Sequence, residues 1–201
     1  MKRCPWSAGG PGMVEYHDTE WGFPVGADQR LFEKLCLESF QSGLSWRTVL
    51  TKRENFRAAF CGFEIAEVAR FTADDVAVLL QNAGIVRHRG KVEAVINNAC
   101  RAEELIEREG SLAAFAWSYE PAASELAAPQ TLTASPASAA MAKELKRRGW
   151  RFVGPTTVFA FMQAMGLIND HVDDCAIRSA VDQARSAFVR PLLRGHAQHH
   201  P

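Results

Sequence analysis

The sequence has no excess of charge of either sign: 23 Lys and Arg stand against 23 Asp and Glu over 201 residues. Attraction to nucleic acid or to an acidic membrane by bulk charge is thereby excluded, although charge can still be concentrated locally. Long apolar runs are missing too. No stretch approaches the ~20 residues that cross a bilayer. The basic start Met1-Lys2-Arg3 leads into Cys4, Pro5 and Trp6 rather than an apolar signal core. Neither membrane insertion nor secretion is expected. The cysteines (Cys4, Cys36, Cys61, Cys100 and Cys175) are neither even in number nor clustered. This argues against the disulfide framework of a small secreted domain and predicts a reducing, cytoplasmic setting. Strand alternation and fixed-period repeats are also lacking.

What the sequence does have is helical periodicity. It predicts an all-α chain, with a single domain over residues 1–185 and a loose tail over 186–201. Residues 1–27, rich in Gly and Trp, are expected to be irregular. Asp28 is expected to cap a helix carrying Leu31, Phe32, Leu35 and Glu38, stopped near Gly43. Ser45 caps a second helix reaching Phe56. A short helix at 64–70, one opened by Thr72, a long helix over 88–109 and a short piece at 112–117 follow. After a loop rich in Ala, Ser and Pro, Ser138 is expected to cap a helix through Lys146. Pro155 suits the first turn of the next helix, which ends at Gly166. A final helix is expected to begin near Asp170.

Four groups of residues carry chemistry. The first is Arg148-Gly149-Trp150-Arg151-Phe152-Val153-Gly154-Pro155-Thr156, a connection between two helical patterns. Its glycines permit a sharp turn and close backbone approach, and the following helix start favours an anion. Lys143, Lys146 and Arg147 crowd the same region. A hairpin gripping a DNA phosphate has this pattern, and so does an ordinary helical hairpin with a solvated basic face. The second group holds metal-ligand types. His171 and Cys175 are four apart, hence on one face if helical, and Cys4 and His17 lie near the other end. Two Cys and two His make a closed, tetrahedral, structural zinc site; a buried Cys beside an unrelated His fits the same spacing.

The third is Glu38, on the apolar stripe of its helix. A buried carboxylate is costly unless paired, so it is either salt-bridged or kept for function. The fourth is aromatic: Trp6, Tyr16, Trp21 and Trp46. These either fill the core or sandwich a flat cationic ring beside a carboxylate. A further basic run, Arg87-His88-Arg89-Gly90-Lys91, reads as a solvated face.

Together these runs resemble a known family. The carrying residues are Arg3-Cys4-Pro5-Trp6, Tyr16-His17-Asp18-Thr19-Glu20-Trp21-Gly22, Leu37-Glu38, Gly43-Leu44-Ser45-Trp46, Ala83-Gly84-Ile85-Val86-Arg87-His88-Arg89-Gly90-Lys91, Phe152-Val153-Gly154-Pro155-Thr156-Thr157 and Gly166-Leu167-Ile168-Asn169-Asp170-His171. From residue 3 to about 178 the chain resembles the DNA-3-methyladenine glycosylase I family, constitutive monofunctional enzymes of the helix–hairpin–helix superfamily. The resemblance implies a helix–hairpin–helix DNA glycosylase fold, with the hairpin at about 143–166. It implies a structural zinc held by Cys4, His17, His171 and Cys175, joining the N-terminus to the last helix. It implies that Glu38 is the catalytic residue that reads a flipped base, that Tyr16 and Trp46 stack on that base, and that Trp6 and Trp21 line the same wall. Gly149, Gly154, Arg148 and Thr156 are the implied DNA contacts.

The implied substrate is double-stranded alkylated DNA and the implied enzyme a monomer. A 3-methylated adenine is already cationic in the nucleoside and leaves readily, so little acid catalysis is needed. With no lysine expected among the pocket residues, no lyase step is expected. Met13 departs from the family, standing where some relatives carry a pocket tyrosine. Asp170 lies near the region of the wider superfamily's catalytic aspartate, which this family lacks. Two other classes remain open on the residues alone: a non-catalytic hairpin module, which leaves Glu38 and its aromatics unexplained, and a zinc hydrolase, which needs an open metal position.

Overall fold

A computed structural model describes residues 1–194. The expectation of an all-helical chain holds: no strand occurs among the described residues. After a 3-10 turn at Pro5–Ala8 come helices α1 (Met13–Thr19), α2 (Asp28–Gln41), α3 (Trp46–Leu50), α4 (Arg53–Ala59), α5 (Ile65–Val68), α6 (Ala73–Gln81) and α7 (Arg89–Glu109). Then follow α8 (Leu112–Trp117), α9 (Pro136–Arg147), α10 (Pro155–Ala164) and α11 (Arg178–Ala187). One continuous apolar cluster reaches from Cys4 to Cys175.

Helix α2 is the hub, packed against α3, α7, α8 and α10. Its residues 31–40 are all buried, Glu33, Lys34, Glu38 and Ser39 included. A helix covered on every side must satisfy its polar groups internally. Asp28 does not cap α2. It lies in the first turn, and its carboxylate instead accepts the Ala113 N–H at 2.8 Å, at the start of α8. The Thr72–Asp75 capping box opens α6, and Ser45 caps α3 through the Thr48 N–H. The helix expected from Ser45 to Phe56 is broken into α3 and α4. Ser135, not Ser138, caps α9, because Pro136 takes the first helical position and Ser138 completes the capping box from the third.

Three further expectations are corrected. The N-terminal segment is not irregular throughout, since α1 carries Tyr16 and His17. The final helix starts at Arg178, and residues 170–177 are turns and extended chain held by side-chain hydrogen bonds. The tail expected to be loose from residue 186 is anchored as far as Arg194. The Phe188 ring packs 4.6 Å from Trp117, Arg190 pairs with Glu120 at 2.9 Å, and the Arg194 N–H bonds the Glu109 carbonyl at 2.9 Å. The rest of that expected tail, 195–201, lies outside the described residues.

Candidate active site

The chamber forms where α1, α2 and α3 meet the N-terminal turn and α10. Trp6, Tyr16, Trp21, Glu38 and Trp46, widely spaced in sequence, line one cavity of about 320 Å³. Ring centroids lie 4.9 Å apart for Trp6 and Trp21 and 5.2 Å apart for Tyr16 and Trp46. Met13 lines the cavity too, so its place in the pocket is real. Gln41, Gln130 and Gln163 complete the polar lining. Gln41 sits three residues after Glu38 and shares its face, a signal the sequence offered. Gln130 comes from an irregular loop and offered none.

Glu38 is 6% exposed. Its Oε1 accepts a hydrogen bond from the Lys34 ammonium at 2.9 Å, one turn earlier on α2. The same ammonium donates to the Tyr16 hydroxyl oxygen at 2.6 Å and lies 3.4 Å from the centroid of the Trp46 ring. No lysine lines the chamber itself, as the sequence reading expected; Lys34 braces Glu38, Tyr16 and Trp46 from outside its lining. Burial pushes the Lys34 amine below its ordinary value, while the Glu38 carboxylate opposes that shift. Burial likewise lifts the Tyr16 phenol well above its usual range. The Trp46 indole N–H is buried without a protein partner. Asp170 does not face this chamber as a catalyst. Its carboxylate accepts from the Gln130 N–H at 2.9 Å and the Gln163 amide at 2.6 Å, holding both glutamines in place. A second, largely apolar cavity of about 300 Å³ lies behind Leu132 and is lined by Asp170 and Arg178, but by none of the site aromatics.

A groove leads from Glu38 and Gln41 past Gly43 and the exposed Leu44 to Thr156 and Thr157 at the start of α10. The turn between α9 and α10 is held from behind. Asn98 accepts the Arg151 N–H at 2.8 Å and donates to the Arg151 carbonyl at 2.9 Å; Asn97 donates to the Gly149 carbonyl at 2.9 Å. Gly149 has φ 83°, the left-handed conformation that the reversal after α9 demands. At Gly154 a Cβ would meet nothing within 4 Å, so the backbone there is open to a ligand. Arg148 is not brought to this surface. Its guanidinium pairs with Glu144 at 2.7 Å and Glu109 at 2.6 Å and stacks on Phe115. Lys91, read as part of a solvated face, is buried, and its ammonium bonds the Phe40 and Ser42 carbonyls at the end of α2.

Beside the chamber, the ligand atoms of Cys4, His17 and Cys175 lie within 4.8 Å of one another. His171 stands next to this group, its ring centroid 4.8 Å from that of His17. Each histidine has its Nδ1 held by an oxygen: His17 by Asp18 at 2.7 Å and His171 by Asn169 at 2.9 Å. The His17 Nε2 faces the Cys175 Sγ at 3.5 Å, whereas the His171 ring stands outside that trio and its buried Nε2 has no protein partner. Gly22 is required here, because a Cβ would come 2.9 Å from the His171 ring. Trp21 packs on His171 with centroids 4.6 Å apart, so one aromatic cluster connects this group to the chamber.

An aromatic chamber with one carboxylate in its wall is built to hold a flat heterocycle, and the groove beside it leads to a helix start. A model of the methyladenine glycosylase family matches residues 6–179. DNA-3-methyladenine glycosylase 1 of Escherichia coli K12 is 47% identical over 180 residues, covering 87% of this chain and 96% of that protein. The Haemophilus influenzae DNA-3-methyladenine glycosylase is 43% identical over 183 residues, covering 89% and 98%. A variant of 3-methyladenine DNA glycosylase I solved in complex with 3-methyladenine superposes with a TM-score of 0.82 at 36% identity, over 89% of this chain and 98% of that one. The chain belongs to the methyladenine glycosylase family. Its relatives are hydrolases of N-glycosyl bonds, and it is an enzyme of that kind.

Proposed function

We propose that this protein excises 3-methyladenine from double-stranded alkylated DNA by hydrolysing the N-glycosidic bond of the flipped nucleotide. The observation that carries the reading is the buried Glu38 in the wall of the aromatic chamber, with Tyr16 and Trp46 beside it. The ring faces of Tyr16 and Trp46 stabilise the cationic base. Glu38, the proposed catalytic residue, accepts a charge-assisted hydrogen bond from its edge. Trp6 and Trp21 close the wall. Because the substrate base is a good leaving group, holding it while water attacks the sugar carbon is sufficient. Lys34 is engaged with Glu38 and Tyr16, whereas a Schiff base needs a free, neutral amine; the reaction is therefore hydrolysis without strand cleavage.

The helix–hairpin–helix formed by α9, the 148–154 turn and α10 grips phosphate through backbone N–H groups near Gly154 and Thr156, without reading sequence. Gly149 shapes the turn, and Arg148 braces it rather than touching DNA. A single zinc is held by Cys4, His17, His171 and Cys175. The donor set suits it: two thiols, and two imidazoles fixed through Nδ1, one with an orphaned Nε2. Four protein ligands leave no open position, so the metal supplies cross-linking and no chemistry. The enzyme acts as a cytoplasmic monomer. Free cysteines and the lack, among the described residues, of a helix long and apolar enough to cross a membrane agree with that setting. Release of 3-methyladenine from methylated duplex DNA by the purified protein tests the reading; no release refutes it.

A further inference from the structure

Excision as described uses Glu38 and the aromatic rings but leaves Lys34 without a role. Lys34 is 5% exposed, in the middle of a helix buried on all sides. A buried ammonium is costly unless its donors are satisfied. Here its three N–H bonds have three targets: Glu38 Oε1, the Tyr16 hydroxyl oxygen and the face of Trp46. We propose that Lys34 is a positioning residue for base recognition, which sets the hydrogen-bond polarity that Glu38 and Tyr16 present to the base. The proposal rests on the base-excision reading.

An ammonium donates and never accepts. By taking Oε1 it leaves Glu38 Oε2, which has no protein partner, as an acceptor for the base. By donating into the oxygen of Tyr16 it forces the phenolic hydrogen to point elsewhere, and no protein acceptor among the described residues takes it. The chamber thus offers one acceptor beside one donor. Adenine presents an amino donor next to the N7 acceptor, which complements that pair; guanine presents two acceptors, O6 and N7, and would set a lone pair against the carboxylate. Without Lys34 the Tyr16 hydroxyl is free to turn to Glu38 and close the pair on itself. The other charged or titratable groups around this pair come from neighbouring elements: Tyr16 on α1, Glu20 just after it, and Arg53 at the start of α4.

The test is single-turnover release of 3-methyladenine and 7-methylguanine from methylated DNA by Lys34→Met. Losing one oriented, charge-assisted bond should slow 3-methyladenine release roughly tenfold or more. Release of 7-methylguanine should rise relative to it. Lys34→Gln keeps N–H donors without the charge, so it should restore the base ratio. In a Glu38→Gln background, Lys34→Met should add less loss than it causes alone. Rate and base ratio within twofold of wild type, or fully additive losses, would overturn the proposal. A Lys34→Gln protein that recovers neither rate nor ratio while folding normally would overturn it as well. A wild-type protein that releases no 3-methyladenine overturns the base-excision reading itself.

Discussion

Chelating the proposed zinc should loosen both ends of the chain at once. Cys4 and His17 belong to the N-terminal turn and α1, and Cys175 to the segment before α11. Apart from this group, few contacts hold the N-terminus to that segment: the Ala176 N–H bond to the Lys2 carbonyl at 2.9 Å and an exposed Lys2–Asp174 pair. The Cys175 Sγ lies 3.5 Å from the His17 Nε2. With Zn–S of about 2.3 Å and Zn–N of about 2.0–2.1 Å, the corresponding edge of a tetrahedral site is about 3.6 Å. The two donors already stand at that separation. Without a metal, burial pushes the Cys4 thiol up to about 11 and the His171 imidazole down to about 4, so both stay neutral at pH 7. A dication reverses the preference of the thiols by rewarding the thiolate. Zinc at a thousandfold excess over its Kd contributes about 4 kcal/mol. For a chain of this size each kcal/mol moves the Tm by about 2–4 °C. Exhaustive chelation should therefore lower the Tm by roughly 8–16 °C, and one equivalent of zinc should restore it. Elemental analysis and calorimetry check this. Protein without zinc as purified, or a Tm indifferent to chelation, would refute the assignment, as would Cys175→Ala with unchanged zinc content and Tm.

Gly154→Asp should weaken binding to all DNA sequences alike and flatten the salt dependence, while stability stays within about 0.5 kcal/mol because a Cβ there meets no neighbour; titrations at several salt concentrations read both, and a sequence-selective loss would count against phosphate gripping. Trp46→Ala should slow base release roughly 5–150-fold, the kinetic equivalent of losing about 1–3 kcal/mol of stacking, as single-turnover rates would report. Glu144 is held down to about 2, first by its hydrogen bond from Arg147 and then by Arg148. Its contribution is present above the ordinary carboxylate value and is lost as pH falls toward 2; Glu144→Gln should remove that part of the acid dependence, about 0.2–1 kcal/mol for a pair near the surface, measured by denaturation at neutral and acidic pH.

Much of the fold was legible because amphipathic helices announce themselves. The Thr72–Asp75 box, the stripe of α7 and Pro155 at the head of α10 fall where their residue types belong. Helix α1 escaped because it is one short helix between glycine-rich segments, stabilised by its partners rather than by its own period. The last helix was expected too early because His171 and Cys175 have helical spacing, yet a turn brings Cys175 to His17 instead. The aromatic residues and Glu38 were readable as a set, and the chamber does gather them. Lys34 and Lys91 were not, because charged residue types read as surface. A 3.6-residue period reveals one apolar face but not that tertiary neighbours cover the opposite one, as they do along α2. Arg148 misled for the converse reason: a basic run beside a hairpin looks like a phosphate site, and only the structure shows Glu109 and Glu144 engaging that charge.

The central claim, that Glu38 reads a flipped 3-methyladenine inside the chamber, is tested most directly by single-turnover release from methylated duplex DNA at saturating enzyme. Wild type should release 3-methyladenine and leave 7-methylguanine in place. Glu38→Ala should release 3-methyladenine markedly more slowly, with zinc content and fold intact. A Glu38→Ala protein as fast as wild type would contradict the account and place base recognition elsewhere on the molecule.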